Sequence, residues 1–168
     1  MTRCRAAILA VALGLLGSGC GGGHDSAAKL ASVSVADKQA ATEVVHAYAG
    51  LIRAAATRPL TAGDYEKAGV DRASHSVRIW LNGFVADRHL KQYVPGTIET
   101  SGTLQSVGLA EDGRLVVEAR IAFSALLTGE PANQGTSMND PHTLYLERRN
   151  GRWILVKDDP HVFESADR

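Results

Sequence analysis

The 168-residue sequence contains no cysteine after position 20. Its two cysteines are Cys4 and Cys20, so a folded part downstream of them closes no internal disulfide, even in an oxidising compartment. Net charge is also missing: 18 Lys+Arg stand against 18 Asp+Glu. The basic residues are scattered, which excludes the electrostatic footprint of a nucleic-acid binder. No apolar stretch is long enough to hold a permanent transmembrane helix. The longest, Ala6 to Leu16, reaches only about 16 Å against a bilayer core of about 30 Å. There is no internal repeat, no G-x-S-x-G, no HExxH and no phosphate-cradling glycine loop. No two histidines stand three or four apart, so neither a metal nor a cofactor is expected. What is present suits a globular chain, with 45% hydrophobic and 21% charged residues and a length natural for one domain.

The first residues read as an address. Arg3 and Arg5 precede the apolar run Ala6 to Leu16, and Gly17-Ser18-Gly19 are small. This is the layout of a secretory signal. Cys20 follows directly. The run Ser18-Gly19-Cys20 resembles the lipobox of bacterial lipoproteins, although Gly17 stands where Leu is usual. The resemblance implies cleavage before Cys20 and lipidation of its sulfur, which leaves 16 basic and 18 acidic residues. It implies an exported protein on the outer face of the cell membrane, held by its acyl chains, palmitate among them. Residues 1–19 are thus expected to be a signal peptide. Residues 20–35, opening with Gly21-Gly22-Gly23, read as a flexible tether.

The folded part is expected over 36–160, with 161–168 as a tail. Ser34 is a cap-like start for a helix whose apolar positions Ala41, Val44, Val45, Tyr48, Leu51, Ile52 and Ala55 share one face. Pro59 stops it. Leu60 to Gly69 reads as a connection with a helical turn at Asp64 to Ala68. A second helix is expected from about Asp71, with the stripe Val77, Trp80, Leu81, Phe84 and Val85. After Gly96 the period becomes two. Ile98, Gly102 and Leu104 share a face of a strand ending near Leu109, and Asp112-Gly113 signals a hairpin. Leu115, Val117, Ala119, Ile121, Phe123, Ala125 and Leu127 then alternate without a break, while Glu118, Arg120 and Ser124 face away. A strand that long should bend, with a bulge. Gly129 to Pro141 reads as a polar loop, Thr143 to Arg149 as a third strand and Arg152 to Asp158 as a fourth, joined at Asn150-Gly151.

Two helices followed by a four-stranded antiparallel meander predict an α+β fold with the helices packed on one face of a curved sheet. The closing hairpin Leu144 to Val156, with Asn150-Gly151-Arg152-Trp153 at its turn, resembles the end of NTF2-like domains. That resemblance covers about residues 36–159 and implies a cone-shaped sheet. The short strand usual between the helices of that superfamily is not evident.

NTF2-like cones house SnoaL-type and ketosteroid-isomerase-type enzymes, whose pockets use Asp, His or Tyr as acid and base. The candidates here are His46, Tyr48, Asp64, Tyr65, His75, Asp87, His89, Tyr93, His142 and Tyr145. Tyr48, Asp87, His89 and Tyr93 fall where they could line a cone mouth. Tyr48 reads as a core tyrosine with its hydroxyl at the rim, and His46 as solvated. His142 and Tyr145 face opposite ways and form no dyad. Asp158-Asp159 reads as a solvated strand end, and Trp80 and Trp153 as core anchors. No catalytic residue is assigned, because the inward set Leu115 to Leu127 holds no ionisable group. The sequence thus favours a non-catalytic, lipid-anchored envelope protein that binds an envelope partner or a small apolar ligand. The alternative is an NTF2-like isomerase or dehydratase tethered outside the cell. A third reading is a homodimer through the outer sheet face, where Val116, Ala122 and Leu126 lie among Glu118 and Arg120.

Overall fold

The computed structural model describes residues 30–91, 93–94, 96–128 and 134–161, with the side chains of residues 89–91 outside the description. The expected signal peptide, Cys20 and the tail beyond residue 161 lie outside the described residues. None of the described helices is long and apolar enough to cross a membrane.

Helix α1 spans Val35–Thr57. The Ser34 hydroxyl accepts from the Asp37 backbone N–H at 3.1 Å, satisfying one of the free donors at the helix start. Arg58 is extended, as a residue before proline must be, and the helix ends there. The predicted stripe is the buried one: Ala41, Val45, Tyr48, Ile52 and Ala55 have no exposed surface. The Leu60 to Gly69 connection holds a separate short helix, α2 (Ala62–Ala68), opened by a capping box between Thr61 and Asp64. Three helices therefore replace the expected two. Helix α3 spans His75–Lys91, four residues later than expected. Asp71 delays it by holding the Ala73 N–H on its carboxylate, while its carbonyl accepts from Ser74.

Strands β1 (Glu99–Leu109), β2 (Leu115–Leu126), β3 (Gly135–Arg149) and β4 (Arg152–Pro160) form one antiparallel sheet in sequence order. The fold is α+β. At the β3–β4 turn Asn150 and Gly151 both have positive φ, 50° and 78°, which fits the primed turn that Asn-Gly favours. The bulge expected in the long strand lies instead in the two edge strands. Residue Gln105 is extra in β1 and Val156 is extra in β4, and β2 runs through without interruption. The polar segment assigned to a loop is mostly strand, because residues 135–141 pair with 120–126 of β2.

Leu115, Val117 and Ile121 of β2, Leu144 and Leu146 of β3 and Leu155 of β4 are fully buried beneath α1 and α3. Each such side chain contributes about 1.5–3 kcal/mol. Helix α1 lies directly on β1 at Gly102, where an added Cβ would stand 2.6 Å from the Val45 carbonyl oxygen. Trp153 faces the helices as well, half-buried against the core, and its indole N–H donates to Asp37 Oδ1 of α1 at 2.8 Å.

Candidate functional site

A chain of three buried polar side chains crosses the interior. Tyr48 comes from α1, His142 from β3 and Asp158 from β4, and none is more than 1% exposed. The Tyr48 hydroxyl donates to Asp158 Oδ2 at 2.5 Å. His142 Nδ1 lies 2.7 Å from Asp158 Oδ1. The Asp158 backbone N–H donates to Ser76 Oγ of α3 at 3.1 Å, so a fourth element joins the site.

The electrostatics follow from burial. The Tyr48 phenol is pushed well above its usual range, first by burial and then by the Asp158 charge and the hydrogen bond to it. It therefore remains the proton donor. With the Asp158 carboxyl acting as acceptor toward both neighbours, the proton between it and the imidazole is assigned to His142 Nδ1. The other ring nitrogen, Nε2, is buried with no hydrogen-bond partner among the described residues, and the imidazole packs on Trp80 of α3. The two rings meet edge-to-face with centroids 4.9 Å apart. Aromatic contacts continue from there through Phe84 and Phe123 to Tyr93.

Sequence reasoning placed Tyr48 in the core but its hydroxyl at a rim. The structure corrects this: the hydroxyl is buried on Asp158. It also corrects Asp158, read as a solvated strand end. Simple alternation from Trp153 and Leu155 sends residue 158 outward. The extra residue Val156 reverses the phase, so Asp158 shares the inner face with Leu155. The inward set of β2 holds no ionisable side chain, as expected, but the acid and the histidine enter from β3 and β4. His142 and Tyr145 do face opposite ways. Tyr145 lies on the outer side between Arg114 and Lys157, at 5.7 and 4.8 Å from its ring centre.

Of the expected mouth residues, Asp87 and Tyr93 come together, the Tyr93 hydroxyl donating to Asp87 Oδ2 at 3.1 Å. Burial first, and then the Asp87 charge, raises the Tyr93 phenol. The His89 side chain lies outside the described residues. His46 and His75 are exposed, Tyr65 is half-buried and Asp64 is paired with Arg58. Val116, Ala122 and Leu126 are half-buried, and the large apolar side chains that stand exposed are Leu30, Val35 and Ile79. Among the described residues no group of three His, Cys, Asp or Glu could hold a metal ion.

An open cleft of about 350 Å³ runs along the first turns of α1, walled by Ala40, Val44, Lys67, Arg148, Arg152 and Trp153. Asp37 at its floor is held below the usual carboxylate range, first by the Ser34 hydroxyl and then by the Trp153 indole. This cleft does not touch the Tyr48–Asp158–His142 chain.

No protein-family model and no curated protein matches the sequence. Among solved structures, the chain is similar to the intermembrane space region of chloroplast protein ARC6, with 17% identity and a TM-score of 0.45, covering 73% of this chain and 94% of that one. It is also similar to a putative calcium/calmodulin dependent protein kinase II association domain from Xanthomonas campestris, with 17% identity and a TM-score of 0.34, covering 66% of this chain and 79% of that one. Likenesses this distant carry no argument about family or function.

Proposed function

We propose that this chain is an exported lipoprotein with an NTF2-like domain, held on the outer face of the cell membrane through Cys20, which acts by binding an envelope partner and not by turnover. The anchor rests on the Arg3 to Cys20 pattern. One structural detail supports the NTF2-like reading: Val70, between α2 and α3, makes a single parallel bridge to Leu155 at the edge of β4. That is the place in the chain order, between helices, where the superfamily's short strand is expected. The observation that carries a binding role is the filled inner face of the sheet. Its side chains, the acid and histidine included, are packed against α1 and α3, which leaves recognition of an envelope partner to the surface. The cleft beside Trp153 is a surface feature suited to it.

Replacing Cys20 with serine should move the protein from the detergent phase to the aqueous phase when cells making it are partitioned. Unchanged detergent-phase partition overturns the anchor. The buried Tyr48–Asp158–His142 chain favours a second reading, an isomerase or dehydratase using these groups as acid and base. That reading needs an apolar substrate to reach His142. Xenon-dependent chemical-shift changes confined to residues around Tyr48 and His142 would favour it over the first.

A further inference from the structure

Two buried polar atoms, Trp80 Nε1 and His142 Nε2, have no hydrogen-bond partner among the described residues. Their chemistry is complementary. The indole N–H can only donate. With Nδ1–H given to Asp158, the imidazole presents a lone pair at Nε2. Left unmet, each group carries its desolvation cost with nothing in return. The two rings are in edge-to-face contact with centroids 4.9 Å apart, so the two unpaired atoms belong to side chains that touch.

We infer that Trp80 and His142 form a binding site for one hydroxyl oxygen, that of a water molecule or of a small neutral alcohol. The oxygen accepts from the indole N–H, and its proton is donated to Nε2. A carbonyl would satisfy the indole and leave Nε2 bare. A cation would face the indole N–H, and an anion would face the imidazole lone pair. Asp158 and Tyr48 hold the imidazole from its far side and fix which nitrogen is free. Phe84 sets the indole edge-on at 5.6 Å, and the half-buried Trp80 is the most exposed of these side chains, so entry to the site runs past it. The site is independent of how the chain is anchored and of whether it turns over a substrate.

The test is nitrogen and proton NMR on the labelled full-length chain. In plain buffer, the Trp80 indole proton should show cross-relaxation to a bound water, and His142 Nε2 should resonate as a hydrogen-bonded acceptor. Titration with 2-propanol distinguishes the two sources: replacement of the water contact by contacts to the alcohol assigns the site to alcohols, and persistence assigns it to water. Trp80→Phe keeps an aromatic ring and removes the donor. It should shift Nε2 toward an unbonded acceptor while leaving Nδ1 on Asp158. An unbonded or protonated Nε2 in the wild-type chain overturns the proposal, and that measurement stands even if the variant fails to fold. So does a Trp80 indole proton with no contact to water or alcohol.

Discussion

Replacing Tyr48 with phenylalanine removes one oxygen and nothing else. That oxygen is the donor to Asp158 Oδ2 at 2.5 Å, in a site where the carboxylate is 1% exposed and solvent cannot replace the lost partner. A hydrogen bond to a charged group is worth about 1.5–3 kcal/mol, and a deserted buried acceptor tends to the upper end. Total stability is about 5–15 kcal/mol, so one atom carries a substantial share. With a urea dependence of about 2 kcal/mol per molar, the unfolding midpoint should fall by about 1 M. Tyr145→Phe is the control. Its ring lies on the outer face between two cations, and its loss should stay within about 0.5 kcal/mol. Asp158→Asn closes a double-mutant cycle with Tyr48→Phe, and the coupling between them should exceed about 1 kcal/mol. A midpoint shift for Tyr48→Phe no larger than that for Tyr145→Phe, or additivity with Asp158→Asn, refutes the buried chain.

Three further outcomes are expected. Gly102→Ala should destabilise by about 1–3 kcal/mol, because its methyl meets the Val45 carbonyl 2.6 Å away. Gly83→Ala, in α3 with nothing within 4 Å, should stabilise by about 0.5–1 kcal/mol; paired thermal melts decide whether the signs differ as stated. The Asp64 carboxyl is held far below its usual range, first by the Arg58 hydrogen bond and then by Thr61. Its contribution should be present in full above about pH 5, where the unfolded group is ionised, and lost as pH falls toward the depressed folded value. The stability difference between wild type and Asp64→Asn, followed by urea melts from pH 7 to pH 2, should therefore be flat at first and then shrink. A difference that grows on acidification contradicts the ion pair.

The helical and turn grammar was legible because it is local. Ser34 and Pro59 bound α1, and Asn150-Gly151 names its own turn. The alternation from Leu115 to Ala125 gives the inner face of β2 directly. What stayed hidden depends on partners distant in sequence. Thr136, Ser137, Asn139 and Asp140 have a loop's composition, and they are strand only because β2 extends beside them. Asp158 was hidden by a single inserted residue. Strand phase is a running count, and the bulge at Val156 resets it. Tyr48 could be placed in the core from its helical period, but its partner is 110 residues away. His142 was visible as a candidate and could not be paired until β4 was in register. The candidate site was thus readable residue by residue but not as a unit.

Ala31 exchanges both backbone hydrogen bonds with Leu109, at 3.0 and 3.1 Å, and Leu30 lies over Gly108. A load arriving through residue 30 meets this fastening first, on the outer edge of β1. Only two bonds share it, whereas α1 beyond is seated on Gly102 and locked by Tyr48. The fastening therefore parts before the cap at Ser34 feels tension. It then pays out the few residues between Leu30 and Ser34 as slack. Opening it would release only the short segment ahead of Ser34, while α1 stays seated on β1 at Gly102.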